Sequence, residues 1–314
     1  MKPAIRITLQ DDQNEKFFGE GPCRLLKAIE KTGSLRSAAI SMDMAYSKAM
    51  KLLKTAENAL GFPLVLRTTG GKSGGGSSLT PEGRAWIAKY EAYRDACLRE
   101  CHRLYREHFP KIGCVIMASG LGVRFGGNKL MADFQGQPMI TRAFAATEGL
   151  FDHRVVVTRH EDVATLCREY GIEVILHDLP YRSDTVRLGL EALGDVDCCM
   201  FLPGDQPLLR RETVAMLLEN WRQRPDQIIR PAYEDNEGSP VLFPAWTFPE
   251  LMTLPEGKGG GVAIKKHPHE VRRVSIANPF ELADADTPET LDLLQQLSKD
   301  RKRDETDASI TQKL

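Results

Sequence analysis

The sequence predicts an α/β chain in which a small helical domain precedes a doubly wound, mostly parallel sheet. Three observations carry that expectation. From residue 111 onward, short apolar runs alternate with helical patterns, as parallel strands joined by helical crossovers require. The first 110 residues hold instead four helical patterns interrupted by one glycine-rich stretch. Charge divides at the same place: residues 1–110 carry 18 basic and 12 acidic side chains and the rest 24 and 31, so a net charge of −1 conceals +6 followed by −7. At 314 residues the chain is long enough for two cores.

Composition excludes several classes. Hydrophobic residues make up 42% and charged residues 27%, and runs such as Val155–Val157 fall far short of the ~20 residues of a membrane span, so no membrane partner is expected. The opening MKPAIRITLQ has no apolar stretch ending in small residues, which predicts a cytoplasmic protein. Seven cysteines, odd in number and without a C-x-x-C pair, read as thiols rather than a disulfide framework or zinc site. Cys198 and Cys199 fall in an apolar run and are expected in the core.

Domain 1 is expected over residues 1–110. A short helix over Arg24–Lys31 stops at Thr32-Gly33, and Ser34 caps a second helix over Leu35–Ser41, whose Ala38 and Ala39 allow another helix to approach closely. After Met42-Asp43 a third helix runs to Leu60, with Ala49, Leu52, Leu53, Ala56 and Leu60 inward and Gly61 just beyond its end. That is helix-turn-helix spacing. Tyr46, Ser47, Lys48 and Lys51 then lie on the outer face near the start of the third helix, where a recognition helix meets DNA. Leu64–Arg67 and the segment ending at Leu79 read as two strands around a glycine-rich loop, a wing on which Arg67 and Lys72 can track phosphates. Thr80 caps a long helix, with Pro81 at its first position, that runs to about His108. Its Trp86, Tyr90, Tyr93, Cys97, Cys101 and Leu104 form a seam expected to make a homodimer contact.

These features, GSLRSAA, AYSKAMKLLKTAENALGFPLVLRTTGGKSGGG and LTPEG, together resemble the winged helix-turn-helix domain of ModE-type molybdate-responsive regulators, related to LysR-type domains. The resemblance spans Gly21 to about Ala88 and implies a DNA-binding dimer.

Domain 2 is expected over residues 111–297, followed by a polar tail over 298–314 that composition predicts to be disordered. Residues 113–119 read as a buried strand running into GLGVRFGGNK. Further strands are expected at 154–158, 173–176 and 198–202, and helices at 162–170, 183–193 and 212–222. Such a sheet places ligands at the carboxyl ends of its strands. The opening loop is a poor dinucleotide fingerprint, because Arg159 stands where an acidic ribose ligand belongs; it fails as a P-loop, because Asn128 separates Gly127 from Lys129 and no hydroxyl follows. What remains is close backbone approach to a triphosphate with two cations, Arg124 and Lys129, which suits nucleotidyl transfer. FLPGDQP puts Asp205 at a strand's carboxyl end, where a carboxylate can hold magnesium. DADTPETL offers a second carboxylate, Asp284 or Asp286. His267 and His269, around Pro268, read as surface loop.

MASGLGVRFGGNKL, FLPGDQP and DADTPETL, with YRSDTVRLGLEAL and GSPVLFP in order between and after them, resemble the MobA-like nucleotidyltransferases, particularly the MocA-type molybdenum cofactor cytidylyltransferases. The resemblance implies a Rossmann-like fold. It places Gly120, Gly122, Arg124, Gly126 and Lys129 around the triphosphate, Ala118, Ser119 and Ser183 at the nucleotide, Asp205 with Asp284 or Asp286 at Mg2+, and Gly238-Ser239-Pro240 on the acceptor side. The implied reaction joins molybdopterin to the α-phosphate of CTP and releases pyrophosphate. Ala118-Ser119-Gly120 matches neither the Ala-Ala-Gly of cytidylyl enzymes nor the Ala-Gly-Gly of guanylyl enzymes, so GTP remains the other candidate; the β-carbon of Ser119 favours CTP. The alternatives are a molybdenum-related regulator whose second domain is a sensor, and transfer to a sugar phosphate.

Overall fold

In the computed structural model, residues 3–68, 76–122 and 125–311 are described, with side chains to residue 299. The chain divides into two compact units, Met1–Phe109 and Pro110–Leu314.

The first unit opens with a hairpin, β1 (Thr8–Gln10) and β2 (Lys16–Gly19), that the sequence reading did not anticipate. Helix α1 spans Glu20–Thr32 and so begins four residues before the expected start. Pro22 does not prevent this, because the first turn's N–H groups have no intrahelical partner. Gly33, at φ +69°, ends α1 in the left-handed region. Ser34 caps α2 (Leu35–Ser41) by accepting from Ser37 N at 3.3 Å, and α3 covers Tyr46–Leu60. Ala38, Ala39, Ala49, Leu53 and Ala56 are buried where α1, α2 and α3 meet. Strands β3 (Val65–Thr68) and β4 (Gly76–Leu79) pair as the expected wing, while its tip, including Lys72, lies outside the described residues. Helix α4 spans Pro81–His108; its Thr80 cap accepts from Gly83 N and donates to the carbonyl of Pro63, both at 2.8 Å. Trp86 and Tyr90 pack against Phe18 of their own unit, whereas Tyr93 and Leu104 are exposed.

The second unit is a three-layer sandwich. Strands β5 (Ile112–Ala118), β6 (Asp133–Phe134) and β7 (Gln137–Pro138) are followed by α5 (Thr141–Thr147), β8 (His153–Thr158), α6 (Glu161–Glu169), β9 (Glu173–Leu176), α7 (Arg182–Leu193), β10 (Cys198–Pro203) and α8 (Arg211–Gln223). Then come β11 (Ile228–Tyr233), β12 (Asn236–Glu237), β13 (Val241–Pro244), α9 (Phe248–Met252), α10 (Gly261–Lys266), β14 (Val271–Ser275) and α11 (Pro288–Thr311). The main sheet runs β12-β11-β13-β10-β5-β8-β9, with β14 beside β11. Its β10-β5-β8-β9 portion is parallel, and β13 is antiparallel to both β10 and β11. Residues of β5 alternate between faces: Ile112, Cys114 and Ile116 pack toward α5, α6, α8 and α11, and Val115 toward α7, α9 and α10. Gly189 lets α7 lie directly on β5, since a β-carbon there would come within 2.6 Å of Val115. Cys198 and Cys199 are fully buried, and burial raises both thiols well above their ordinary range.

From Ser298, where composition predicts a polar tail, the chain is drawn as a continuation of α11 to Thr311. Leu291 and Leu294 anchor the first turns in the core, and the following residues contain no proline or glycine to interrupt propagation. His267 pairs with Glu250 at 2.9 Å, which gives it a structural partner in that loop. Among the described residues no helix is long and apolar enough to cross a membrane.

Candidate active site and nucleic-acid interface

From β5 the chain crosses to β8 on one side and later fills the other side with β10. This reversal opens a crevice outside the carboxyl ends of β5 and β10. The loop after Ala118 and the turn after Pro203 therefore border one cleft of about 580 Å3, lined by Ser119, Gly120, Thr185, Asp205, Asp284 and Asp286 among others. An adjoining cavity of about 630 Å3 shares Arg182 and Ser239 with it and includes Lys258 and Gly259–Gly261. Ser239 thus sits between the two spaces, where the acceptor side was expected.

The glycine loop is shaped by its own backbone. Gly122 has φ +61°, and a β-carbon there would lie 2.2 Å from the carbonyl oxygen of Gly127, so that position admits only glycine in this conformation. Its carbonyl accepts from Phe125 N at 2.8 Å and Gly126 N at 3.1 Å. Val123 and Arg124 lie outside the described residues, so the expected phosphate cation Arg124 receives no placement. Asn128, which breaks the P-loop pattern, has a defined role: its Nδ2 donates to both carboxylate oxygens of Asp162, at 2.8 and 2.9 Å, tying the loop's end to α6.

Lys129 follows directly and meets the two aspartate segments. Its Nζ lies 2.6 Å from Asp205 Oδ2 and 2.7 Å from Asp286 Oδ1, with only 10% of its side chain exposed. Burial alone depresses this ammonium, but the two carboxylates outweigh it and hold the group above its ordinary range. Asp284 has the reverse balance. Burial, followed by the charges of Asp205 and Asp286, raises its carboxyl above the usual range, although Gln206 Nε2 donates to it at 3.0 Å. The segment is also fixed through backbone, with Ala285 N donating to the carbonyl of Asp205 at 2.9 Å and Gln206 Nε2 to that of Leu282 at 3.2 Å.

Three of the expected site residues have specific placements. Ala118 is 1% exposed and belongs to the core at the end of β5. Ser183 is half-buried in the first turn of α7 and is not among the cleft's lining residues; its neighbours Arg182 and Thr185 are. Lys129 is an ammonium clamped between the carboxylates of the turn after β10 and of the returning 284–286 segment. Sequence reasoning also missed Gln206, His160 and His177. His160 Nε2 lies 2.8 Å from the carbonyl of Gly120, and His177 Nε2 lies 2.8 Å from Ser119 Oγ. No spacing rule links these residues, which come from the ends of different strands.

In the first unit, Tyr46, Ser47, Lys48 and Lys51 are all exposed, as is Arg67 on β3. The four helical residues occupy the first turns of α3, the geometry by which a recognition helix presents donors and cations to a groove.

Residues 114–271 match the MobA-like NTP transferase domain, and residues 23–84 match the bacterial regulatory helix-turn-helix protein, lysR family. Among curated proteins, the chain is 41% identical over 85 residues to the molybdenum transport protein ModE of Azotobacter vinelandii, covering 26% of this chain and 32% of that one. It is 27% identical over 188 residues to the 3-deoxy-manno-octulosonate cytidylyltransferase of Pasteurella multocida, covering 52% and 72%. The first relatives it matches are spanned over only 25% to 38% of their length. Rv0371c of Mycobacterium tuberculosis H37Rv shares the fold of the second unit at 20% identity and a TM-score of 0.53, over 60% of this chain and 98% of that one. The chain belongs to the MobA-like NTP transferase family and carries a lysR-family helix-turn-helix domain ahead of its nucleotidyltransferase domain.

Proposed function

We propose that this protein transfers CMP from CTP to molybdopterin, and that its N-terminal domain binds DNA as part of molybdenum-related regulation. The observation that carries the catalytic half is the convergence of Asp205 and Asp286 on the single ammonium of Lys129, in the cleft that Ser119 and Gly120 border. The likeness to a cytidylyltransferase supports the choice of CTP, and the likeness to the molybdenum transport protein ModE supports the link to molybdenum.

In the reaction, an oxygen of the acceptor's terminal phosphate attacks the α-phosphorus of CTP. The bond from that phosphorus to the bridging oxygen breaks, and pyrophosphate leaves with the electron pair. Gly120, Gly122 and Gly126 allow the backbone to approach the triphosphate, Arg182 and Thr185 border the nucleotide, and Ser239 faces the acceptor. Among the described residues no three acidic, histidine or cysteine side chains form a ready metal-binding group. Magnesium nevertheless suits the donors, since it takes one or two carboxylates plus phosphate oxygens, and a cation would relieve the burial and the neighbouring charges of Asp205 and Asp286 that raise the Asp284 carboxyl. Asp205 with Asp284 or Asp286 would hold Mg2+, which supplies charge neutralisation to the triphosphate.

The test combines the full chain with Mg2+, molybdopterin and either CTP or GTP, and follows pyrophosphate. Release is expected with CTP and is lost in EDTA; Asp205→Asn should lower it about a hundred- to thousandfold while DNA binding persists. Release only with a sugar-acid acceptor would replace molybdopterin in this reading. Silence with both nucleotides would leave a nucleotide-sensing regulator.

A further inference from the structure

Strand β14 is the open edge of the main sheet: among the described residues it pairs only with β11. Just beyond it, Ile276 N donates to the carbonyl of Ala232 on β11 at 2.9 Å. Backbone groups alternate in direction along an extended strand, so Arg273 and Ser275 turn their N–H and C=O groups away from β11. Among the described residues these groups have no partner. The cavity beside this edge, about 1030 Å3, is lined by Arg224, Lys265, Arg272 and Arg273 against one carboxylate, Glu237. Glu237 already holds Arg273 and Arg230, and among the described residues no carboxylate pairs with Arg224, Lys265 or Arg272. The cations stand on both sides of the strand. Val274 packs toward α8 and α11, which puts Arg272 on the face of Arg224 at the end of α8. Val271 packs toward α7, α9 and α10, which puts Arg273 on the face of Lys265 in α10.

We propose that β14 is a docking edge for an acidic, extended segment of a partner protein, which adds to the sheet as a further strand. An added strand turns alternate side chains to opposite faces. Acidic residues on both of its faces then meet Arg272 with Arg224 and Arg273 with Lys265, while its backbone satisfies Arg273 and Ser275. A single-stranded nucleic acid supplies negative charge but cannot continue a ladder of paired N–H and C=O groups. A second copy of β14 sets like charges against each other, the device by which basic edges are kept apart. The cavity shares Glu237, Ile264 and Lys265 with the acceptor-side cavity, so the partner docks next to that space. Binding there requires no nucleotide.

Fluorescence anisotropy of the full chain with a labelled peptide of about twelve residues, built from Glu-Glu-Thr repeats to place acids on both faces, tests the idea. The peptide should bind, and more weakly as salt rises. Arg224→Ala with Arg272→Ala should weaken binding about three- to tenfold, the worth of two exposed ion pairs. Ser275→Pro removes an outward N–H and blocks the edge while leaving the ladder to β11 intact, so it should lower affinity about tenfold or more. Hydrogen exchange at the amides of Arg273 and Ser275 should slow in the wild-type protein when the peptide is present, a readout that needs no variant. Absence of binding, or binding that neither Ser275→Pro nor the amide exchange registers, overturns strand addition and leaves a basic edge that only prevents aggregation. Self-association of the protein alone that Ser275→Pro abolishes makes the occupant a second copy and also overturns the proposal.

Discussion

Replacing Glu281 by glutamine should weaken the second unit and loosen its aspartate segment together. Glu281 is fully buried just before Asp284. Its Oε1 receives Arg210 Nε at 2.7 Å and Arg210 Nη2 at 2.5 Å, and its Oε2 receives Arg210 N at 3.2 Å and Thr213 Oγ1 at 2.5 Å. Because Arg210 and Thr213 begin α8, the carboxylate also occupies a helix N-terminus, which favours negative charge. Glutamine keeps the shape but supplies one oxygen, so its NH2 group faces donors. Removing one partner of a buried pair costs about 3–5 kcal/mol. Arg210 retains 35% side-chain exposure and can rehydrate, which argues for the lower end, about 3 kcal/mol.

For a domain of this size each kcal/mol moves the melting temperature by roughly 2–4 °C, so the transition of the second unit should fall by about 6–12 °C. Differential scanning calorimetry measures this, with CTP titration at a temperature well below the transition reporting on Asp284 and Asp286. A fall under about 2 °C with unchanged CTP affinity would refute the reasoning, showing that the segment is held by its bonds to Asp205 and Gln206 alone.

Lys48→Ala combined with Lys51→Ala should abolish specific DNA binding, lower the slope of log affinity against log salt by about two, and spare pyrophosphate release; gel-shift titrations at several salt concentrations check it. Leu104→Asp should convert a homodimer into monomer in sedimentation, because Leu104 and Tyr93 form the exposed part of the α4 seam; an unchanged sedimentation coefficient would place any dimer contact elsewhere. The depressed His177 gives a pH dependence. Below its unfolded value of about 6.5 the unfolded chain binds the proton more readily than the folded one. Stability is therefore full above that value and declines as pH falls toward the folded value. Melts at pH 7 and pH 5 should show a smaller loss for His177→Gln than for the wild-type protein, and equal losses would contradict the assignment.

Much of the scaffold was legible because local chemistry wrote it. Thr80-Pro81, Ser34, Gly33 and Gly61 mark helix ends through caps and positive φ, and the apolar runs of β5, β8 and β10 have the length of buried strands. The convergence of Lys129 with Asp205 was legible too, since both lie just past strands that a doubly wound sheet sets side by side. The limits were equally physical. The β1–β2 hairpin has no strong alternation in three- and four-residue strands, and its turn residue Asn14 takes positive φ without an adjacent glycine. The resemblance points to Ser183, whereas the packing of α7 through Gly189 brings Arg182 and Thr185 to the cleft lining. The bonds of His177, Gln206 and Glu281 reach across 58 to 78 positions, and periodicity carries no information over that distance.

The clamp on Lys129 changes what the cleft requires of its ligand. Three carboxylates, Asp205, Asp284 and Asp286, stand against one ammonium, and that ammonium is already engaged by two of them. Arg159 and Arg182 line the same cleft beside these carboxylates, so a triphosphate entering it would meet both signs of charge. Lys129 therefore acts first on the protein, binding the end of the β5 loop to the turn after β10 and to the 284–286 segment, three pieces that share no continuous backbone. Counter-charge for a nucleotide would then fall to Arg159 and Arg182 and, in the proposed reading, to a hard divalent cation, which oxygen donors grouped this closely suit. In that reading lysine and metal would be complementary: the lysine assembles the carboxylates, and the carboxylates would hold the ion.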